Sequence, residues 1–226
     1  MGKEKRRLVR EVLRGQSASV ARRIALMLGR RPDGPMDVPT SPDSALAKEA
    51  EEAAAQQSPA VVGHSYRTWA FGRALASIDG ESVDEELSYV ASLLHDAGIE
   101  QPVENEDFTI RSGDAAVVAS HRGDDGEACV RNAIAAHVTP GASIAADGAE
   151  GFYTQAGAVL DLGGLRLNEL SADLVDAVND AHSRESVFRE FSSFIKAEAK
   201  AVPDGRFALL KKSGFILALR TSPLPK

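Results

Sequence analysis

The sequence is poor in cysteine and aromatic residues, and it has no long hydrophobic run. Its single cysteine, Cys129, excludes an intramolecular disulfide bond and fits a reducing compartment. No stretch approaches the roughly 20 apolar residues that a membrane-spanning helix needs. The N-terminal segment does not resemble a signal peptide, because Arg10, Arg14 and Arg22 interrupt its apolar pieces. We therefore expect a cytoplasmic protein that has no membrane partner.

Several short motifs of common enzyme classes are also absent from the sequence. It contains no Gly-x-Gly-x-x-Gly or Gly-Lys-Ser phosphate-binding loop, no Gly-x-Ser-x-Gly nucleophile elbow and no Cys-x-x-Cys pair. The usual sequence evidence for a nucleotide-binding loop, a serine hydrolase or a paired-thiol site is therefore missing. We expect Cys129 to be a packing residue, since it lies in a predicted amphipathic helix.

The rest of the composition is ordinary for a globular protein with one sizeable core. Of 226 residues, 43% are hydrophobic and 26% are charged, but only 5% are aromatic. A β-sandwich or barrel would need more aromatic and β-branched residues in its strands, so this composition favours packed helices. We predict an all-α fold.

The charge is distributed unevenly along the chain. Residues 1–31 hold ten Lys or Arg against Glu4 and Glu11, a net charge of +8, which leaves −15 on the remainder of a chain whose total is −7. An acidic body makes nucleic acid an unexpected partner. We divide the chain into a basic arm with a proline-rich linker at 1–45 and a domain at 46–226. The arm could contact an anionic partner or fold back on the acidic body.

Apolar residues recur at helical spacing along most of the chain. A proline-rich segment at 31–42 interrupts the pattern, and Ser58 with Pro59 marks the start of the next helix. In the last predicted helix, an apolar strip either closes the core or forms the contact of a homodimer. The predicted helices are two short ones within residues 8–28 and longer ones at about 43–57, 59–78, 83–97, 126–136, 152–162 and 184–201.

Four of the predicted helices carry a metal-binding type of side chain on a buried face or at a buried end. Burying an imidazole or a carboxylate without a partner costs several kcal/mol, so four such side chains in one core suggest a shared ion. Imidazole and carboxylate groups are ligands for divalent cations. The side chains are His64, the adjacent pair His95 and Asp96, His137, and Asp161.

The order of His64, the His95-Asp96 pair and a distant Asp161 resembles the HD superfamily of metal-dependent hydrolases, which is named after that dipeptide. Segments 64–72, 93–98, 134–137 and 157–161 look like the cyanamide hydratase-like branch and its uncharacterised bacterial relatives. The resemblance covers about residues 58–220. It implies an all-helical domain with one divalent metal ion, which is zinc, iron or manganese. Its implied ligands are His64, His95, Asp96 and Asp161.

An open position on such an ion would make the site catalytic. Bound water would become hydroxide near neutral pH, because zinc lowers the pKa of water from about 15.7 to about 7. His137 matches a histidine of the hydratase-like branch, and the resemblance implies that it donates a hydrogen bond or moves a proton. Arg67, one turn after His64, could clamp an anion, hold a ligand carboxylate or form a surface salt bridge. Asp114 is a candidate general base.

The other histidines are given no catalytic role. Members of the superfamily that bind two metals carry a further histidine where this chain has residues 110–114, which contain none, so one metal is expected. His121 lies about ten residues later in a polar segment and is predicted to be at the surface. His182 lies at a helix boundary and is predicted to be structural.

The sequence leaves three functions open. The first is a hydrolase or hydratase that acts on a small substrate, such as a nitrile, a cyanamide or another C–N electrophile. The second is a phosphohydrolase that acts on a nucleotide-like monoester or diester. Many phosphohydrolases of the superfamily carry a lysine soon after the His-Asp pair, but residues 97–100 of this chain contain no lysine. The third is a non-catalytic ligand-binding module.

Overall fold

The computed structural model describes residues 36–139 and 141–224. Within these ranges the chain is helical and has no β-strand, which confirms the predicted all-α class. The two short helices predicted within residues 8–28, and most of the basic arm, lie outside the described residues. Among the helices at residues 36–139 and 141–224, none combines the length and the hydropathy that a membrane-spanning segment requires.

Ten α-helices, which we number in chain order, and two short 3₁₀ segments form the described structure. The 3₁₀ segments are Ala115–Arg122 and Leu167–Glu169. The α-helices are α1 (Ala45–Ala54), α2 (Pro59–Asp79), α3 (Glu85–Leu94), α4 (Phe108–Asp114), α5 (Gly123–Ala136), α6 (Ile144–Gly163), α7 (Ala172–Ala181), α8 (Val187–Ala201), α9 (Arg206–Lys212) and α10 (Phe215–Arg220).

Helix α2 is the central helix of the fold. Pro59 occupies its first turn, where a missing N–H costs nothing, and Gly80 ends it in the left-handed conformation with φ 73°. The apolar spacing predicts a single buried stripe along this helix, including Ile78. The structure instead buries α2 on most of its circumference and leaves Ile78 exposed, because small Ala and Gly residues allow neighbouring helices to pack on several sides.

Helices α2 and α6 approach each other closely through glycine. A Cβ atom on Gly157 would lie 2.0 Å from the carbonyl oxygen of Thr68, and one on Gly72 would lie 2.5 Å from that of Tyr153. No larger residue fits either position without separating the helices. This close contact brings the middle of α2, with His64 and Arg67, against the end of α6 that carries Asp161.

The C-terminal helices α8, α9 and α10 pack over one end of α2 and α6. Phe191 and Ile195 of α8 are buried in a second hydrophobic cluster together with Val61 of α2 and Leu162 of α6. The apolar strip of the last long predicted helix thus closes the core. Helix α8 begins at Val187, three residues after the predicted start at about residue 184.

Helices α4 and α7 and the 3₁₀ segment Ala115–Arg122 were not predicted from the pattern of apolar residues. Helix α6 also begins at Ile144, earlier than the predicted residue 152, and is kinked at Gly148, where φ is 74°. Helix α4 has only seven residues and α6 is kinked, so neither presents one continuous run of apolar turns with a period of 3.6 residues. Length does not explain α7, because α1 and α3 also have ten residues and follow the apolar spacing.

Candidate metal centre

His64 is held in one orientation inside the protein. It lies on α2, is fully buried, and its Nδ1 lies 2.7 Å from Asp161 Oδ2. A carboxylate only accepts hydrogen bonds, so Nδ1 carries the proton and donates it. The opposite ring nitrogen, Nε2, is buried and has no hydrogen-bond partner. The lone pair of Nε2 is therefore available to a ligand.

His95 and Asp96 follow directly after the last residue of α3. His95 Nδ1 donates to the carbonyl oxygen of Ser92 at 2.7 Å, which leaves its buried Nε2 without a hydrogen-bond partner. Asp96 Oδ2 lies 3.2 Å from His95 Nε2 and 3.7 Å from His64 Nε2. Asp96 Oδ1 also has no hydrogen-bond partner. The His-Asp pair thus presents one imidazole nitrogen and one carboxylate toward His64.

The turn after this pair is fixed by close packing against α4. The Gly98 N–H donates to Ser112 Oγ at 2.9 Å, and Arg111 Nη2 donates to the Gly98 carbonyl oxygen at 3.1 Å. A Cβ atom on Gly98 would lie 2.7 Å from the Phe108 carbonyl oxygen. Only glycine allows α4 to come this close and to set the direction of the chain after Asp96.

One donor atom from each of His64, His95 and Asp96 lies within 4.8 Å of the others, and all three residues are buried. Such a set of two imidazole nitrogens and a carboxylate oxygen suits zinc, iron or manganese. Buried polar atoms without partners are costly, and a shared cation would satisfy all of them at once. These residues therefore fit a divalent metal ion.

The pKa values of the three groups follow from burial and from their contacts. Burial lowers the pKa of the His64 imidazole and favours its neutral, ligand-competent form. Burial also acts to lower the pKa of His95, but the adjacent Asp96 carboxylate overcomes this and raises it. Burial opposes ionisation of Asp96, yet His95 and His137 hold the pKa of Asp96 well below its usual range. The carboxylate is therefore ionised and able to bind a cation.

Asp161 is fully buried, and its carboxylate accepts hydrogen bonds from two arginines as well as from His64. Arg67 donates from Nε to Oδ1 at 2.7 Å and from Nη2 to Oδ2 at 3.0 Å. Arg184 donates from Nη1 to Oδ1 and from Nη2 to the Asp161 carbonyl oxygen at 2.9 Å. Burial would raise the pKa of Asp161, but both guanidinium groups and His64 hold it far below its usual range. Asp161 meets the edge of the His64 ring that faces away from Nε2.

Arg67 holds a carboxylate, which is one of the roles considered from the sequence, and it is not at the surface. Besides binding Asp161, its Nη1 donates to the carbonyl oxygens of His182 and Ser183 at 3.1 and 2.7 Å. A Cβ atom on Gly63 would lie 2.9 Å from Arg67 Nη1, so the glycine makes room for the guanidinium. Arg67 therefore ties α2, α6 and the segment before α8 together.

His137 is also brought to the cluster. It follows α5, is buried, and its Nδ1 lies 2.5 Å from the Ile134 carbonyl oxygen. Its Nε2 lies 3.4 Å from Asp96 Oδ1. The role in proton transfer predicted for His137 would use the same Nε2, which the structure turns toward the Asp96 carboxylate.

A group of phenylalanines, which we call the phenylalanine wall, lies beside the imidazoles. Phe191 of α8 meets the His64 ring edge-on at a centroid distance of 4.7 Å. Phe108 of α4 meets His137 at 5.6 Å and stacks on Phe207 of α9 at 4.5 Å. The wall thus consists of Phe108, Phe191 and Phe207, and it makes the surroundings of the cluster apolar on this side.

The remaining candidates lie away from the cluster. The Asp114 side chain is 76% exposed and pairs with Arg131 at 3.4 Å, so the structure does not bring the predicted general base to the site. The reason is that Asp114 ends α4 on the face turned to solvent. His121 is exposed beside Glu49, as predicted. His182 stacks on Tyr66 at 4.5 Å, which suits the structural role predicted for it.

The sequence pattern does not predict two features of the site, Arg184 and the phenylalanine wall. Arg184 follows a helix boundary, where a single basic residue is ordinarily a surface residue, so no pattern distinguished it. The phenylalanine wall draws on three separate helices, and the apolar periodicity of each helix shows only that a face is buried.

Comparison with known proteins identifies a family for this chain. The family described as HD domain matches residues 61–185, which is more than half of the chain and includes His64, His95, Asp96, Asp161 and Arg184. Helices α8, α9 and α10 lie beyond the matched range. No curated protein matches the chain.

Proposed function

Since the chain belongs to the HD-domain family, we propose that it is a metal-dependent hydrolase or hydratase that acts on a small, uncharged substrate. The observation that carries this proposal is that His64, His95 and Asp96 bring buried potential ligand atoms, which have no hydrogen-bond partners, close together. In a purely structural core such atoms would destabilise the fold. A bound cation would offset this cost by coordinating them.

Some residues of the site would bind the metal ion, and others orient the side chains that bind it. His64, His95 and Asp96 would hold the ion, and the network of Asp161, Arg67 and Arg184 fixes the tautomer and direction of His64. When bound, a divalent cation supplies Lewis acidity and lowers the pKa of coordinated water toward neutrality. The phenylalanine wall excludes bulk water from this side of the centre.

The chemical character of the surroundings favours an uncharged substrate. The two guanidinium groups next to the site, those of Arg67 and Arg184, are both paired with Asp161, and using either one for a phosphate would break a buried ion pair. A charged phosphoester would also have to lose its hydration beside Phe108 and Phe191, which is costly. A nitrile, a cyanamide or another small C–N electrophile avoids both costs. The resemblance of segments such as 64–72 to the cyanamide hydratase-like branch points the same way.

The proposal is tested by comparing two panels of substrates on the purified, metal-loaded protein. One panel holds cyanamide and short nitriles, to which water would add to give urea or an amide, and the other holds aryl phosphomonoesters and phosphodiesters. We expect turnover in the first panel that is lost in Asp96→Asn and retained in His121→Gln, a substitution at an exposed histidine. Release of phosphate that Asp96→Asn abolishes would instead establish a phosphohydrolase. Turnover in neither panel would favour a binding module.

A further inference from the structure

Glu198 is a buried carboxylate that continues the apolar strip of α8. The residue is 2% exposed and lies one turn after Ile195 on the buried face of the helix. It also lies beyond the family match, which ends at residue 185. An apolar side chain would fill this position without removing a charge from water, which is costly. The contacts of the carboxylate therefore decide what it contributes.

Both oxygens of Glu198 accept hydrogen bonds from α4. Oε1 accepts from the Phe108 N–H at 2.8 Å, and Oε2 accepts from Arg111 Nη2 at 2.8 Å. The Arg111 side chain is only 13% exposed, so salt and water screen this ion pair little. Helix α4 has seven residues and is too short to be stable by itself. Glu198 thus fixes the start of α4 and the guanidinium group of Arg111.

Arg111 extends this contact to the turn that follows Asp96. Its Nε and Nη2 both donate to the Gly98 carbonyl oxygen, at 3.3 and 3.1 Å. Within the turn, the Ile99 N–H donates to the Asp96 carbonyl oxygen at 2.9 Å. A continuous series of hydrogen bonds therefore joins Glu198 on α8 to the turn that begins at a proposed metal ligand.

The other contact of Glu198 reaches the phenylalanine wall. Phe108, whose N–H is bound by Glu198, places its ring against His137 and stacks on Phe207. The backbone position at which this ring begins is therefore set by the same carboxylate. One side chain of α8 thus supports both the turn after Asp96 and the apolar side of the cluster.

We infer that Glu198 is a positioning residue of the metal centre proposed above, on which this inference rests. It acts through Arg111 and Phe108 and forms no hydrogen bond with a proposed ligand. A buried ion pair gives little net stability compared with an apolar replacement, but it fixes one geometry. Here that geometry is the position of the turn after Asp96 against α4. Helix α8 is therefore part of the centre, although the family match ends before it.

The zinc affinity of Glu198→Gln tests this inference without any assay of activity. Glutamine has nearly the same shape, but its amide has one oxygen, which can accept from Arg111 or from the Phe108 N–H and not from both. Loss of a group that supports a ligand weakens metal binding by about 10–100-fold. We expect a loss of about 10-fold, because Glu198 acts through Arg111. Chelator competition measures it on the full chain, at a temperature at which every variant is folded.

Two further variants show whether the effect passes through Arg111 and whether it is more than a loss of stability. Arg111→Met should weaken zinc binding by about 10-fold, and adding Glu198→Gln should weaken it no further, because both changes break the same series of contacts. Asp79→Asn breaks an ion pair with Arg166 at the last residue of α2, away from the cluster. It should lower Tm and leave the zinc affinity unchanged.

The possible failures of the inference and of the proposed function are distinguishable. A zinc affinity of Glu198→Gln equal to that of the wild type would overturn the inference and leave the proposed centre in place. Effects of Glu198→Gln and Arg111→Met that multiply to about 100-fold in the double variant would also overturn it. A folded wild type that binds no zinc would refute both.

A milder variant decides the question if Glu198→Gln does not fold. Arg111→Lys keeps a positive charge for Glu198, but it replaces the planar group that spans Glu198 and the Gly98 carbonyl oxygen by a single ammonium nitrogen. Zinc binding should still weaken several-fold. An unchanged zinc affinity of Arg111→Lys would overturn the inference.

Discussion

Asp96→Asn should remove the bound divalent cation and reduce turnover by about 10³-fold or more. The substitution keeps the shape of the side chain but replaces the one anionic oxygen donor that faces both His64 and His95. Loss of an outer-shell partner already weakens metal binding by about 10–100-fold, so loss of the ligand carboxylate should weaken it by more than about 100-fold. A cation contributes several kcal/mol to the transition state, and about 4 kcal/mol corresponds to the stated loss of rate. Metal content and turnover are measured on the same preparation.

A matched substitution makes the Asp96→Asn result interpretable. Asp114→Asn changes another aspartate of the same domain, but its side chain is exposed and paired with Arg131, so metal content and turnover should be unchanged. Circular dichroism establishes that both variants remain helical. An Asp96→Asn protein that retains a full complement of metal with its original affinity would show that Asp96 is not a ligand.

Arg67→Met should destabilise the fold by about 3 kcal/mol or more, which corresponds to a fall in Tm of about 6–12 °C for a protein of this size. Methionine keeps most of the length and apolar volume of the side chain but removes its charge and all of its donors. Asp161 would then keep only one of its two guanidinium partners, and the carbonyl oxygens of His182 and Ser183 would lose theirs. Unfolding is measured by calorimetry or urea titration.

Arg73→Met provides the control for this measurement on the same helix. Arg73 pairs with Glu85 at 2.7 Å, but the two side chains are 25% and 68% exposed. Exposed ion pairs contribute about 0–1 kcal/mol, so this variant should unfold close to the wild type. Equal Tm values for the two variants would show that the buried network of Arg67 and Asp161 does not stabilise the protein as its contacts suggest.

The fold class and the inner residues of the site could be predicted from the sequence. His64 follows a strong helix-start signal, and His95 with Asp96 ends an apolar run, so the periodicity alone predicts a buried position for each. Helices α2 and α3 were found for the same reason. The seven-residue α4 is not predicted, because so short a helix offers few periodic positions.

The partners of Asp161 could not be predicted. Periodicity places Asp161 inside the protein, but it does not say whether a cation, an arginine or a histidine meets it there. Arg67 lies 94 residues away in the chain and Arg184 lies 23 away, and only the close packing of α2 on α6 brings all three together. The orientation of a buried carboxylate depends on such contacts between distant residues, and these contacts cannot be predicted from the sequence pattern.

The metal content of the native protein tests the central claim most directly. We predict one divalent ion per chain by mass spectrometry with plasma ionisation, removal of the ion by a chelator with a fall in Tm, and recovery of both on adding zinc, iron(II) or manganese. A ligand at 100 times its Kd stabilises the folded state by about 2.7 kcal/mol, so the shift in Tm should be several degrees. A well-folded protein that contains no divalent ion, and whose Tm none of these metals changes, would contradict the account.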